Sequence, residues 1–418
     1  MQGLHLTADL YQCNGDLSIF VDELALAALC RTQTELSGLT IVGEKWVTFP
    51  EYQGEPGGVT GTILLAESHL AIHTWPERSG VTLDVYVCNF SEDNSVKARQ
   101  LLEGIVTAFR PTQVQRNTLL RGDEHGPVGS GELLLESLNE YSVYGFRFPK
   151  RLLSKQTAFQ HLELLESPDL GVALRLDGCM MTAENEEFFY HESMVHPMTI
   201  SHPNPRKALI IGGGDGGALE ELLKHPTIDQ VTLVDLDGEV IEISREHLRS
   251  INKGSLDDPR VQVLVGDGAE FVRTTSETFD LVFLDLTDPE TPAGPLYTVE
   301  FFQACQRVLA EGGAMALHLG APFYEPDQVR ALSSKLAEVF EHVSAFGLHI
   351  PLYGAYWALA IVSDQLQPKA LTADEVEQRL HTRDLRDLQY YNAEVHGALF
   401  ALPNYYRNLV PVTDVVMM

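Results

Sequence analysis

Glutamate, serine and histidine stand together at Glu67-Ser68-His69, with His73 five residues past the serine and Cys88 further on. That set suits a chain that cuts its own backbone. A serine hydroxyl attacks the carbonyl before it, the resulting ester eliminates with help from a base, and the serine residue becomes a pyruvoyl group. The new ketone can take a substrate amine as a Schiff base and accept electrons while carbon dioxide leaves. Glu67-Ser68 supplies the bond to be cut. His73 supplies a base whose ordinary pKa lies near neutrality, and Cys88 a proton for the substrate carbon. Each residue alone has an ordinary structural reading, and only the set points to chemistry.

A second constellation begins at 212–217, where GGGDGG follows the apolar run ALII. Gly212 and Gly214 would let the backbone come close to a nucleotide-like ligand at the head of a helix. Dehydrogenases and methyltransferases share such loops, so the acids that follow matter more. Asp235 ends the next strand, where a carboxylate can accept both hydroxyls of a ribose, and Asp267 follows the third, within reach of an adenine. Both fit an S-adenosyl ligand that lacks a pyrophosphate. Asp215 lies inside the loop. It would repel the carboxylate of S-adenosylmethionine and attract the lone ammonium of the decarboxylated compound. Asp285 and Asp288, in LDLTDP, fall at the carboxyl end of the fourth strand, the ligand edge of such sheets. Acids beside a sulfonium imply a polycationic acceptor and disfavour a methyltransferase.

The surrounding pattern must position these groups. Residues 1–118 read as a two-layer α/β domain. Asp16 is placed to cap a helix through about Cys30, and Ser91 one through about Phe109, with Leu101, Leu102, Ile105, Val106 and Phe109 in one stripe. Strand-like runs lie at 39–42, 59–65, 69–73 and 81–88. Alternation puts His69 and His73 on one face of their strand and sends Cys88 to the face away from the packed side. Residues 119–135 are polar and glycine-bearing, a linker. A small β domain is expected over 136–200, with a hairpin at Asp177-Gly178. From 201 to 418 strands and helices alternate, which predicts a Rossmann-like, doubly wound parallel sheet followed by C-terminal helices.

Composition sets bounds. The chain has 418 residues, enough for two or three domains, and a net charge of −30. Such a charge disfavours nucleic acid and attracts cations. Five scattered cysteines without a CxxC pair suit a reducing cytoplasm, and no metal is expected. No apolar run reaches the roughly 18 residues of a membrane span, and no signal peptide is visible.

ESHLAIHTWPE with the downstream DVYVC, and the opening HLTADLYQC, closely resemble the prokaryotic S-adenosylmethionine decarboxylase family. The resemblance implies that Ser68 is the pyruvoyl precursor, Glu67 the new end of the small fragment, His73 the processing residue and Cys88 the proton donor. Thr60 stands where the family often has an active-site serine. Some relatives act on ornithine or arginine, and a non-catalytic regulatory module is a further alternative.

The strings LDGCMMTAENEEFFYHESMVHP, ALIIGGGDGG, DPRVQVLVGDG, LDLTDP and GPLYT resemble the spermidine synthase family of polyamine aminopropyltransferases. By that resemblance Gln160, Gly212, Gly214, Asp215, Asp235 and Asp267 hold decarboxylated S-adenosylmethionine. Tyr190, His191, Asp285, Asp288 and Tyr353 meet the acceptor, with Asp285 as the base for its amine. Leu286 replaces a common serine, and LYGAY stands for the usual acceptor segment, leaving Tyr353 and Trp357 as nearest matches. The segments DL-x-DP, HPNP and HIP-x-Y lean towards thermospermine synthases, so putrescine, spermidine or another polyamine stays open as acceptor. The two resemblances together imply a bifunctional polyamine enzyme acting as a homo-oligomer, at least a dimer.

Overall fold

The computed structural model describes residues 3–51, 54, 56–66, 68–90, 92–122, 131–289 and 291–411. The chain divides into two compact units at Gly129 and Ser130.

The first unit is a six-stranded antiparallel sheet. Its strands are β1 (Gly3–Tyr11), β2 (Ile41–Thr48), β3 (Val59–Leu65), β4 (Ser68–Trp75), β5 (Gly80–Cys88) and β6 (Gln113–Arg121), in the order β2-β3-β4-β5-β1-β6. Helices α1 (Ser18–Val21), α2 (Glu23–Leu36) and α3 (Ser95–Phe109) cover one face. Alternation decides which face. Leu4, Leu6, Leu70, Ile72, Leu83 and Val85 join Leu26, Leu101, Ile105 and Phe109 in one core. Their strand neighbours His5, His69, His73, Asp84 and Tyr86 turn to the other face, which carries no helix of this unit among the described residues.

Two local expectations give way. The helix expected from Asp16 breaks at Asp22, whose backbone is extended and whose carboxylate accepts from the N–H groups of Leu24 and Ala25, so the long helix starts there and runs to Leu36. The Asp16 carboxylate accepts from Ser18 N–H in the short turn before that helix. Ser91 lies outside the described residues; α3 starts at Ser95, whose N–H donates to Asp93.

The second unit opens with a two-stranded hairpin, β7 (Glu132–Ser137) and β8 (Val143–Phe148). A four-stranded antiparallel sheet follows: β9 (Lys150–Gln156), β10 (His161–Ser167), β11 (Gly171–Leu176) and β12 (Cys179–Ala183). Asp177 and Gly178 both take positive φ, 47° and 91°, between the paired Leu176 and Cys179, as a two-residue hairpin requires. Helix α4 (Phe188–Ser201) leads on to β13 (Lys207–Gly212), α5 (Gly217–Leu223), β14 (Gln230–Asp235), α6 (Gly238–His247), α7 (Arg249–Asn252), β15 (Val261–Val265), α8 (Gly268–Thr274) and β16 (Phe279–Asp285). Then come α9 (Val299–Val308), β17 (Leu309–Gly320), α10 (Pro326–Ala337), β18 (His342–Ile350), β19 (Ala355–Ser363) and the C-terminal helices α11 (Ala373–Thr382), α12 (Ala393–Leu399) and α13 (Asn404–Arg407).

The large sheet has the order β15-β14-β13-β16-β17-β19-β18. It is parallel from β15 to β17, while β19 runs antiparallel to both neighbours. Both faces are buried: Ile210, Leu233 and Phe283 join one core with Met194 and Met198 of α4, and Leu209, Ile211, Val282 and Leu284 join another with Phe301 and Phe302. Helix α4 packs on the parallel sheet although it lies within the segment read as the small β domain. The segment read as a linker is shorter at both ends, since β6 runs to Arg121 and β7 starts at Glu132. Among the described residues no helix is long and apolar enough to cross a membrane.

Candidate active sites

The chain order reverses between β13 and β16, and there the second unit opens a cavity of about 280 Å³. Its walls include Gln160, Tyr190, His191, Gly212, Gly214, Asp215, Asp235, Asp267, Asp285 and Tyr353. Beside it lies a pocket of about 40 Å³ walled by Glu136, Cys179, Asp288, His318 and Trp357 among others. Met181, Tyr190, Leu286, Thr287 and Tyr353 border both.

The glycine loop is held by the acids around it. Gly212 has φ +80°, and a Cβ there would lie 2.0 Å from the Asp285 carbonyl oxygen. Gly214 donates its N–H to Asp235 (3.0 Å), where a Cβ would lie 2.7 Å from that carboxylate. Asp235 also accepts from Asp237 N–H, at 2.8 Å. Burial pushes the Asp235 pKa up to about 6 against those two hydrogen bonds. Asp267 caps α8, accepting from Ala269 and Glu270 while it lines the cavity. Gln160 donates to Asp237 at 3.1 Å.

Asp215 accepts from Gly217 N–H at 2.6 Å and lies 3.7 Å from His191 Nε2. The other ring nitrogen of His191 meets Glu187 at 2.7 Å, one helical turn earlier. Burial opposes charge on this imidazole, but the Glu187 hydrogen bond and the Asp215 charge outweigh it and lift the pKa to about 10. His191 thus faces Asp215 on the wall of the larger cavity, and it does not line the smaller pocket that holds Asp288.

Tyr190 donates to Asp285 Oδ1 at 2.9 Å. Burial, then the charge of Asp215, raises the Asp285 pKa to about 6, with His191 and the Tyr190 hydroxyl pulling the other way. Its second oxygen, Oδ2, is buried without a hydrogen-bond partner, and so is Asp288 Oδ1. An unpaired buried carboxylate oxygen is costly unless a ligand pairs with it. Tyr353 donates to the Met181 carbonyl and packs edge-on to Tyr190 and close to Trp357.

Three residues near these cavities were absent from the sequence reading. Glu136 accepts from Met180 N–H, and burial raises its pKa. Glu186 accepts from Leu352 N–H and is pushed up by burial to about 7. His318 stacks on Trp357, its Nε2 next to the Tyr297 hydroxyl and the Leu286 carbonyl. Glu187, four residues before His191, did leave an i,i+4 signal.

In the first unit Ser68 begins β4, and its Oγ accepts the N–H of Cys88 at 2.9 Å. Ser68 and Cys88 thus meet, while Glu67 lies outside the described residues. His73 does not join them. It pairs across the sheet with Thr60, Nδ1 to Oγ1 at 3.0 Å, five residues further along the strand from Ser68. At about 3.4 Å per residue the separation is roughly 17 Å.

The sequence matches the family described as S-adenosylmethionine decarboxylase over residues 4–122 and that described as spermine/spermidine synthase domain over 187–372. A polyamine aminopropyltransferase of Nitrosomonas europaea is 41% identical over 279 residues, covering 67% of this chain and 86% of its own. One from Thermotoga petrophila is 38% identical over 261 residues, covering 62% and 86%. A crystal structure of spermidine synthase in complex with the transition-state analogue AdoDATO aligns with TM-score 0.63 and 35% identity, covering 67% of this chain and 94% of that one. Spermidine synthase from Thermotoga maritima aligns with TM-score 0.61 and 34% identity, covering 66% and 94%.

Proposed function

The chain belongs to the polyamine aminopropyltransferase family, with an S-adenosylmethionine decarboxylase domain ahead of the transferase, and on that premise we propose how each unit works. In the second unit decarboxylated S-adenosylmethionine fills the larger cavity. Asp235 receives the ribose hydroxyls, Asp267 and Gln160 border the adenosyl group, and Asp215 attracts the terminal ammonium. The acceptor amine enters the smaller pocket. What carries this is a pair of buried oxygens without hydrogen-bond partners, Asp285 Oδ2 and Asp288 Oδ1, the latter 3.7 Å from His318 Nδ1, on the walls of two pockets that share Tyr190. An alkylammonium satisfies both.

Asp285, with its pKa near 6, takes the proton from the attacking amine, and Tyr190 holds that carboxylate in place. The nitrogen then forms a bond to the carbon next to the sulfonium. The carbon–sulfur bond breaks, and the electron pair leaves on a neutral thioether. The step needs alignment and one base, so positioning supplies most of the acceleration. The small pocket, walled by Glu136, His318 and Trp357, supports a short diamine such as putrescine.

In the first unit Ser68 is the pyruvoyl precursor, and its contact with Cys88 fits that role. The group, once made, supplies an electron sink for carbon dioxide to leave S-adenosylmethionine. Cys88 gives a proton to the resulting carbon. His73 and Thr60 of the same chain stand too far away, which supports a dimer in which a second copy brings its own pair to Ser68.

Purified protein incubated with S-adenosylmethionine and each of putrescine and spermidine, read by mass spectrometry, tests this reading. Decarboxylated donor and an aminopropylated diamine are expected. Cys88→Ala should lose the first product yet keep transfer from supplied donor, and Asp285→Asn should do the reverse. Loss of both reactions in either folded variant would sink the two-site assignment.

A further inference from the structure

Three side chains on the helix-free face of the first unit converge for a reason that neither reaction uses. His5 on β1, His69 on β4 and Asp84 on β5 come from three adjacent central strands. The register places His5 and His69 on either side of Tyr86, each diagonal to Asp84. Asp84 Oδ1 lies 3.2 Å from His5 Nε2 and 3.4 Å from His69 Nε2. All three ligand atoms lie within 4.8 Å of one another, and all three residues are half-buried. We propose that His5, His69 and Asp84 form a binding site for a divalent first-row transition-metal ion of the zinc class.

The distances favour this over a simple charge cluster. Zinc holds imidazole nitrogen and carboxylate oxygen at about 2.0–2.1 Å, so neighbouring ligand atoms of a tetrahedron stand about 3.3–3.4 Å apart. Two of the three edges already have that length. The third, between the imidazoles, closes by side-chain rotation, since the rings meet edge-on at 6.3 Å with nothing covalent between them. Both histidines offer the same nitrogen, and strands held in register on both sides fix the bases of all three side chains. Two imidazoles and one carboxylate suit zinc, cobalt or iron(II), whereas calcium and magnesium prefer all-oxygen shells. Arg121 lies over the Tyr86 ring, 5.0 Å from its centroid. A three-ligand site leaves a position for water.

The site needs no processing of Ser68, and the test keeps the two ideas apart. Chelator-treated full chain, wild type and Ser68→Ala, would be titrated with Co²⁺ while visible absorption is followed, and with Zn²⁺ by calorimetry. One ion per chain is expected in both, with the absorption of low-coordinate cobalt. His69→Gln and Asp84→Asn should each weaken binding by more than the roughly tenfold lower bound seen when only an outer-shell partner is lost. Their unfolding temperatures without metal control for folding. Absence of the cobalt band, or binding unchanged in both folded variants, would overturn the proposal and leave a histidine–aspartate hydrogen-bond network.

Discussion

At Asp285 the feature that suits the proposed base role also opposes stability. Its folded pKa of about 6 stands above the ordinary carboxylate value, so the folded chain holds this proton over a window in which the unfolded chain has lost it. Stability from this group is present below the ordinary carboxylate range and is lost as pH rises through about 6. Above that, the charged form is carried as a penalty which a bound ammonium offsets. Asp285→Asn should therefore stop transfer while raising the ligand-free unfolding temperature at neutral pH, by the equivalent of about 1–2 kcal/mol. The gain should vanish near pH 4, where the wild-type carboxyl is neutral. Calorimetric scans at the two pH values measure it, and an equal or lower unfolding temperature at both would count against a strained carboxylate. Asp215, Asp235 and Asp285 were legible because strand ends and a glycine loop mark the ligand edge of a parallel sheet. Glu136 and His318 were not, since an acid at the end of ELLLES and a single histidine in ALHLG carry no spacing signal that points to a site. Only the folding of β7 and β17 brings them to one pocket.

Element boundaries turned on which polar side chain found a backbone partner. Asp16 and Asp22 both precede apolar periodic runs, and the sequence pattern favours the earlier one. The structure gives the longer helix to Asp22, with an extended backbone at φ −112° and two N–H groups served. Asp22→Ala should cost about 1 kcal/mol and speed amide exchange throughout Glu23–Leu36, whereas Asp16→Ala should disturb only the short turn after it. Hydrogen exchange on the intact chain distinguishes them; equal effects would mean packing, not capping, sets the start. Strand β2 was legible only in its first residues because it lies at the sheet edge, where Val42, Glu44, Lys45 and Val47 remain exposed. Its inward anchor is Trp46, which fills the space over Gly61, where a Cβ would lie 1.9 Å from the ring. The parallel sheet was easier to read, since strands buried on both faces appear as unbroken apolar runs such as ALII and DLVFLD.

At the scale of the whole molecule, the first unit holds half of the proposed processing set beside Ser68 and the other half a strand's length away. Alternation along β4 and β5 correctly sends His73 and Cys88 to one face, but it says nothing of distance along the strand. The register answers that: Ser68 is opposite Val87, and His73 opposite Thr82. No side-chain rotation spans roughly 17 Å. If cleavage needs His73, the histidine comes from another copy, and a twofold pairing would bring each copy's Thr60–His73 pair to the strand ends that hold the other's Ser68 and Cys88. Two defective chains should then repair each other. A Ser68→Ala chain cannot be cut but still offers His73, and a His73→Ala chain retains the bond to be cut but lacks the base. Each alone should stay intact. Co-expressed with distinguishable tags, they should assemble into mixed dimers in which the His73→Ala chain is cleaved after Glu67, while the Ser68→Ala chain remains whole. A denaturing gel with mass analysis of the tagged fragments reads the result. If wild type is cut but the mixed dimers are not, His73 acts within its own chain after a rearrangement of β4, and the shared site is wrong.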